Sequence, residues 1–201
     1  MKRSRVFAVV ALLTVFLSAC GINSIPRAEE EAKAKWADVQ NQYQRRTDLL
    51  PNLAAAVRAN GQQELAMQIG VAEARARTAQ TQIGPEQLHD ANAMRNFADT
   101  QAAISSLISG ARVTVTTEAT PNQQNTRLIE SVNSQIEGTE NRIAIARRDY
   151  NEAVRAYNTR IRTFPSVIGA RIIYGSQPMV PFEAERGADR APDLDFGNYS
   201  R

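Results

Sequence analysis

One periodicity constrains this chain more than any other feature: Ile129, Ile136, Ile143, Tyr150, Tyr157 and Phe164 recur every seven residues. Val132, Thr139, Ala146 and Ala153 interleave with them at the offsets of an a/d seam. A strand cannot carry this pattern, because its faces alternate every two residues. Residues 122–163 therefore read as one helix, about 60 Å long at 1.5 Å per residue. Thr120-Pro121-Asn122-Gln123 supplies a cap, a first-turn proline and a glutamine three residues on, the signature of a capping box. Such a helix leaves its apolar stripe wet unless another helix covers it.

A matching stripe lies near the other end. Trp36, Tyr43, Leu50 and Val57 are also seven apart, with Ala32, Val39 and Leu53 between them. Ser24 suits a cap, Pro26 a first turn, and Glu29, Glu30 and Glu31 the positive end of a helix dipole. Pro51 predicts a kink rather than a stop. Asn60-Gly61 is a candidate break, after which Leu65, Ile69, Ala72, Ala76 and Ala79 continue in shifted register. One bent helix and two separate ones both satisfy residues 27–82. After Gly84-Pro85, the positions Leu88, Ala91, Ala98, Ala102, Ser105 and Ile108 form a small-residue helical face. Arg112 to Thr117 favours strand by propensity. A lone strand has nothing to pair with, so the helix is expected to run to about Glu118.

Phe164-Pro165 stops the last long helix, and Ser166 to Tyr174 is an apolar stretch that can cap the bundle. Residues 165–201, with their prolines, glycines and scattered acids, read as an extended, mostly disordered tail. The expected fold is all-α: an antiparallel bundle of three to four long helices over residues 27–164. A composition of 43% hydrophobic but only 6% aromatic residues suits helices packed through a narrow seam.

The N-terminus carries different information. Met1-Lys2-Arg3-Ser4-Arg5 is basic, and the apolar run Val6 to Ala19 is shorter than the roughly 20 residues of a spanning helix. Residues 1–19 therefore read as a cleaved signal peptide. They close on Leu17-Ser18-Ala19-Cys20, a tetrad that resembles the bacterial lipobox. In such signals the cysteine thiol takes a diacylglyceryl group through a thioether, and cleavage falls between Ala19 and Cys20. Residues 20–26 are then a lipidated tether. Cys20 is the only cysteine, so no intramolecular disulfide competes for its sulfur. Lys2, Arg3 and Arg5 account for the whole excess of 24 Lys and Arg over 21 Asp and Glu. A neutral mature chain gives no reason to expect nucleic acid as a partner.

Several stretches resemble the LemA family: Arg45-Arg46-Thr47-Asp48-Leu49-Leu50-Pro51-Asn52-Leu53, and Glu73-Ala74-Arg75-Ala76-Arg77. More specific is the run from Thr139-Glu140-Asn141-Arg142-Ile143 through Tyr150-Asn151 and Tyr157-Asn158 to Phe164-Pro165. Pro181-Phe182-Glu183-Ala184 is similar to the family's closing motif, so the resemblance spans about residues 30–184. It implies a membrane-tethered antiparallel helical bundle outside the cytoplasm and assigns no reaction. The departure is the anchor: many relatives carry an uncleaved transmembrane helix where this chain carries a lipobox.

Candidate site residues are few. Arg46 stands in the seam between Tyr43 and Leu50, where an apolar residue is expected, and needs an acid such as Glu140 or Glu152 across the bundle. Asn151 and Asn158 fall on one flank of the long seam, with Asn141 near it. They would form either a recognition stripe or buried contacts that fix helix register. Arg147-Arg148 reads as a solvated face pairing with Glu152. His89 is the only histidine and has no companion at metal-ligand spacing, so no metal or cofactor is expected. No nucleophile signature occurs, so no catalytic residue is assigned.

The function expected from these features is a non-catalytic envelope module. It would be held to the membrane by lipid on Cys20, facing the periplasm, with another envelope protein or a second copy as partner. Gly21 rather than an aspartate after the cysteine favours the outer membrane where one exists. The alternative is a periplasmic small-molecule-binding or hydrolytic protein with a pocket around Arg46 and Glu140.

Overall fold

The periodic segments become α1 (Ser24–Ala59), α2 (Glu64–Gln80), α3 (Ala91–Thr117) and α4 (Gln123–Arg160). The computed structural model describes residues 23–59, 64–117 and 123–183. The stretches read as signal peptide and lipobox, Asn60-Gly61, the expected capping box at Thr120-Pro121 and residues 184–201 lie outside them. Among the described residues no strand occurs, and no helix is long and apolar enough to cross a membrane.

The helices run up, down, up and down. Arg160 at the end of α4 reaches the Ser24 carbonyl at the start of α1, and Arg46 of α1 meets Glu140 of α4, so these two are antiparallel. Just beyond α2, the Ile83 carbonyl accepts bonds from Trp36 Nε1 (3.1 Å) and Gln40 Nε2 (2.9 Å), which brings that chain back along α1. Residues 27–82 are thus two helices folded on each other. α3 ascends beside α1, with Phe97 against Trp36 and Gln101 against Arg46. Asp90 starts it by accepting the Asn92 amide at 2.7 Å, after a 3₁₀ turn over Pro85–His89.

Seven-residue spacing put the correct faces of α1 and α4 inside. Trp36, Tyr43 and Leu50 are buried against Ile136, Ile143, Tyr150 and Tyr157. They divide into an aromatic cluster containing Trp36, Tyr43, Phe97 and Tyr150 and an aliphatic one containing Leu50, Leu53, Ile104 and Ile136. The side chains of Val57 and Ile129 lie outside the described set.

Four local readings change. In α2 the inward residues are Val71, Ala74 and Thr78, while Ile69, Ala72, Ala76 and Ala79 are exposed. An alanine-rich helix gives little preference between faces, and Val71 decides the matter. In α3 the buried face is Met94, Phe97, Gln101, Ile104 and Ile108, and the alanines stand to its side or face solvent. Large side chains claim the core where small ones only mimic the period. Residues 24–26, expected to belong to a tether, are part of α1, which begins at Ser24, and Ile25 is buried in the cluster of Tyr157 and Ile161. Phe164, the last member of the long seam, is 80% exposed because α4 ends at Arg160.

Beyond α4, α5 (Ser166–Gly169) runs into a π-helical turn over Ala170–Tyr174. Gly175 closes it at φ 57°, a left-handed conformation that glycine adopts freely. The chain then reverses and runs extended along α4. The tail expected to be loose is, over residues 177–183, held against the bundle.

Candidate functional site

The extended segment Gln177 to Glu183 occupies the side of α4 where the two Tyr-Asn pairs project. At one pair, the Tyr157 hydroxyl donates to the Gln177 carbonyl at 3.1 Å. Asn158 brackets Met179, donating to its carbonyl (2.8 Å) and accepting its amide (2.9 Å). At the next pair, Tyr150 donates to Val180 O (2.9 Å), and Asn151 brackets Phe182 at 2.9 and 2.7 Å. The same three bonds repeat. Seven helical residues rise about 10.5 Å, and three extended residues advance about 10 Å. The two repeats are therefore commensurate, and one heptad of α4 reads three residues of the strap.

Proline explains why this stretch is extended. Pro178 and Pro181 fix their own φ and bias the residues before them, Gln177 and Val180, away from helix. The carbonyls of those two residues are the ones the tyrosines bind. A polyproline-like period of three also brings Met179 and Phe182 to one face, and both are buried. The Phe182 ring lies among Trp36, Tyr43 and Phe97, with centroids 6.2 to 6.5 Å away. From outside, the Arg147 guanidinium covers that ring at 4.3 Å and donates to the Glu183 carbonyl. Val180 N–H donates to Leu88 O, and His89 Nδ1 lies 3.1 Å from Pro178 O, which ties the strap to the 3₁₀ turn as well.

Burial raises both phenols above their ordinary value, with a smaller opposing contribution from Ser176 at Tyr157. They stay protonated donors. Unfolded tyrosines ionise near pH 10, so this stabilisation is complete below about that pH and is lost as the pH climbs toward the folded values. Between about pH 8 and pH 11 the urea midpoint of the wild-type chain should fall further than that of a Tyr150→Phe/Tyr157→Phe variant. Equal falls would show that these phenols do not carry the alkaline sensitivity.

Arg46 forms the second polar centre, between the two apolar clusters. Its side chain is 2% exposed. Nη1 donates to Ser105 Oγ (2.8 Å) and Glu140 Oε1 (3.2 Å), and Nη2 to the Gln101 carbonyl (2.9 Å) and Oε1 (2.7 Å). The guanidinium also lies 4.9 Å over the Tyr43 ring. Arg46 Nε and Gln101 Nε2 are buried without a hydrogen-bond partner. Beside Gln101 is a cavity of about 220 Å³ between α1, α2 and α3, bordered by Gln40, Tyr43, Gln44, Thr78 and Phe97. It is below the usual range for drug-sized ligands, about 300 Å³ and upward, and Glu140 does not border it.

The sequence-derived residues separate into three fates. Arg46 and Glu140 meet each other, and Asn151 and Asn158 act together on the strap. Asn141 is exposed on another face of α4, since ten residues turn it away from Asn151. Arg147 does not pair with Glu152 but clamps the strap, while Arg148 pairs with Asp149 at 3.1 Å. Sequence reasoning missed the strap's own ligating positions, Met179 and Phe182. The available signal was arithmetic: Pro178 and Pro181 are three apart, as a seven-residue helical repeat requires. Among the described residues no group of three His, Cys, Asp or Glu side chains could hold a metal ion.

Against known proteins, residues 35–196 match the profile of the LemA family. No curated protein matches the chain.

Proposed function

Because the chain belongs to the LemA family, which is not a known enzyme family, we propose that it is a non-catalytic module of the bacterial envelope. Lipid on Cys20 holds it on the periplasmic side of a membrane, the outer one where present. The bundle then stands as a rigid spacer that engages another envelope component. One observation supports the non-catalytic part of this reading: most of the polar groups a pocket would use are already engaged within the chain. Arg46 is bound by Glu140, Gln101 and Ser105, and each strap-facing asparagine both donates to and accepts from the backbone of one strap residue. The lipobox at Leu17-Ser18-Ala19-Cys20 supports the anchoring part.

A small-molecule role around the cavity beside Gln101 is the second reading, favoured only by the unpaired Gln101 Nε2 and Arg46 Nε. Ordered waters of the kind that satisfy such polar groups in proteins suit a space of that size and polarity.

Growth with a fatty-acid analogue should label the wild-type protein, and Cys20→Ser should abolish both labelling and processing. Two or more acyl chains should keep the wild type in the membrane fraction through salt washes, which a single chain does not achieve. Label retained by Cys20→Ser would defeat the anchoring proposal. Crosslinking in intact cells should join the wild type, and not Cys20→Ser, to an envelope protein. Recovery of the protein only as uncrosslinked monomer would count against the module.

A further inference from the structure

The end cap is built inside out. Across residues 166–174 the side turned to the bundle carries Ser166, Gly169 and Ala170, all buried. The side turned to solvent carries Ile168, Ile172 and Ile173, joined by Phe164 and Tyr174. Ile172 is 79% and Ile173 61% exposed. A cap that served only to close the bundle would turn its isoleucines inward. Here small residues give close contact inward, and five large apolar groups are displayed. Exposed large apolar side chains gathered within eleven residues of one end of the bundle mark an interaction surface.

Three further observations say what covers it. The cap follows α4 directly, and Arg160 at that end reaches the Ser24 carbonyl at 3.4 Å. The cap therefore sits at the end of the bundle where α1 begins. Ser24 lies four positions beyond Cys20, which limits the distance to about 14 Å even when fully extended. The charge is also one-sided: residues 153–182 contain Arg155, Arg160, Arg162 and Arg171 and no acid. At the start of α1, Glu29 and Glu30 are paired with Lys33 at 2.8 and 3.0 Å, leaving Glu31 exposed. An apolar tip of Ile and Phe, flanked by arginines and a tyrosine, matches the interface of a bilayer with anionic headgroups.

We infer that the cap formed by Phe164, Ile168, Ile172, Ile173 and Tyr174 is a second membrane contact, inserting into the headgroup–acyl boundary beside the lipid anchor. This rests on the proposal that Cys20 is acylated. The cap and the acyl chains enter the same leaflet and hold the bundle upright, so its far end projects into solvent.

The full chain is the material for the test, with Ile172→Cys or, about 40 Å along α4, Ser134→Cys carrying a bimane fluorophore. Acylation of Cys20 leaves the introduced cysteine as the only free thiol. The protein is reconstituted in vesicles of phosphatidylethanolamine and phosphatidylglycerol containing a nitroxide-labelled phosphatidylcholine. Quenching at position 172 should exceed that at 134 by about threefold or more, and should weaken when neutral lipid replaces phosphatidylglycerol. Equal quenching at both positions, with the wild-type chain refusing maleimide, overturns the membrane contact and leaves the anchor standing. A position 172 probe shielded from nitroxide and crosslinking to a second copy assigns the cap to self-association and also overturns it. If the wild-type chain labels at Cys20, the acylation reading fails instead. The same two probes in a Cys20→Ser background then decide the cap by the same comparison.

Discussion

Phe182→Ala will destabilise the protein by about 3–5 kcal/mol, the range for deleting a buried aromatic side chain. The residue is far along the sequence from the helices, yet its ring completes the cluster of Trp36, Tyr43 and Phe97. Removing it opens a void on which Arg147 can no longer stack. Asn151→Ala gives an independent view of the same strap. It leaves the Phe182 amide and carbonyl without their bracket, at about 1–3 kcal/mol for each buried group left unsatisfied. Thermal or urea midpoints measure the first effect. Amide exchange at Met179 and Phe182, together with proteolysis within residues 176–183, should show the strap loosening in the second. If Phe182→Ala melts like the wild type, the strap is an accessory and not part of the core.

Arg46→Ala is the other change expected to be severe, at about 2–5 kcal/mol, the range for truncating a large buried side chain and leaving buried acceptors unpaired. It strips a donor from Gln101 Oε1 and Ser105 and leaves a hole between two apolar clusters. Glu140, 44% exposed, regains water and adds little to the loss. Arg46→Met fills the space without the charge and should recover most of the stability, in line with apolar replacement of buried ion pairs. The pair of variants separates folding from recognition. Under the module reading, a stable, anchored Arg46→Met protein complements a deletion strain. Failure of such a protein to complement would move the function to a ligand site at the guanidinium.

The long helices were legible because two stripes of large residues repeat every seven positions, and only a helix keeps them on one side. Arg46 was legible as the position that breaks its stripe. The shorter helices were legible as helices, but their inward faces were not. In α2 and α3, alanines occur on every face, so a period can be drawn through residues that bury almost nothing. Phe97 stands at the centre of the aromatic cluster, yet a face drawn through Ala98 and Ala102 passes beside it. The strap was hidden for another reason. Proline-rich, aperiodic sequence carries no sign of its own that it will be bound, and its partners lie 20 to 31 residues away. Only the pairing of a helical repeat of seven with an extended repeat of three connects the two.

The order in which the chain is made has its own consequence. The stripe on α1 needs α4, whose last residue follows the end of α1 by about 100 positions. At roughly 5–20 residues per second, translation leaves α1 without its mate for about 5–20 s. During that time Trp36 and Tyr43 have Phe97 and the chain at Ile83 as partners, and their faces toward α4 can be covered only by transient contacts or by a chaperone. Contacts so distant in sequence slow folding, because a large loop must close before they form. Phe182 arrives later still. A ribosome that stops short of it releases a chain with every helix present and a hole where the last ring belongs, a defect that a protease can recognise.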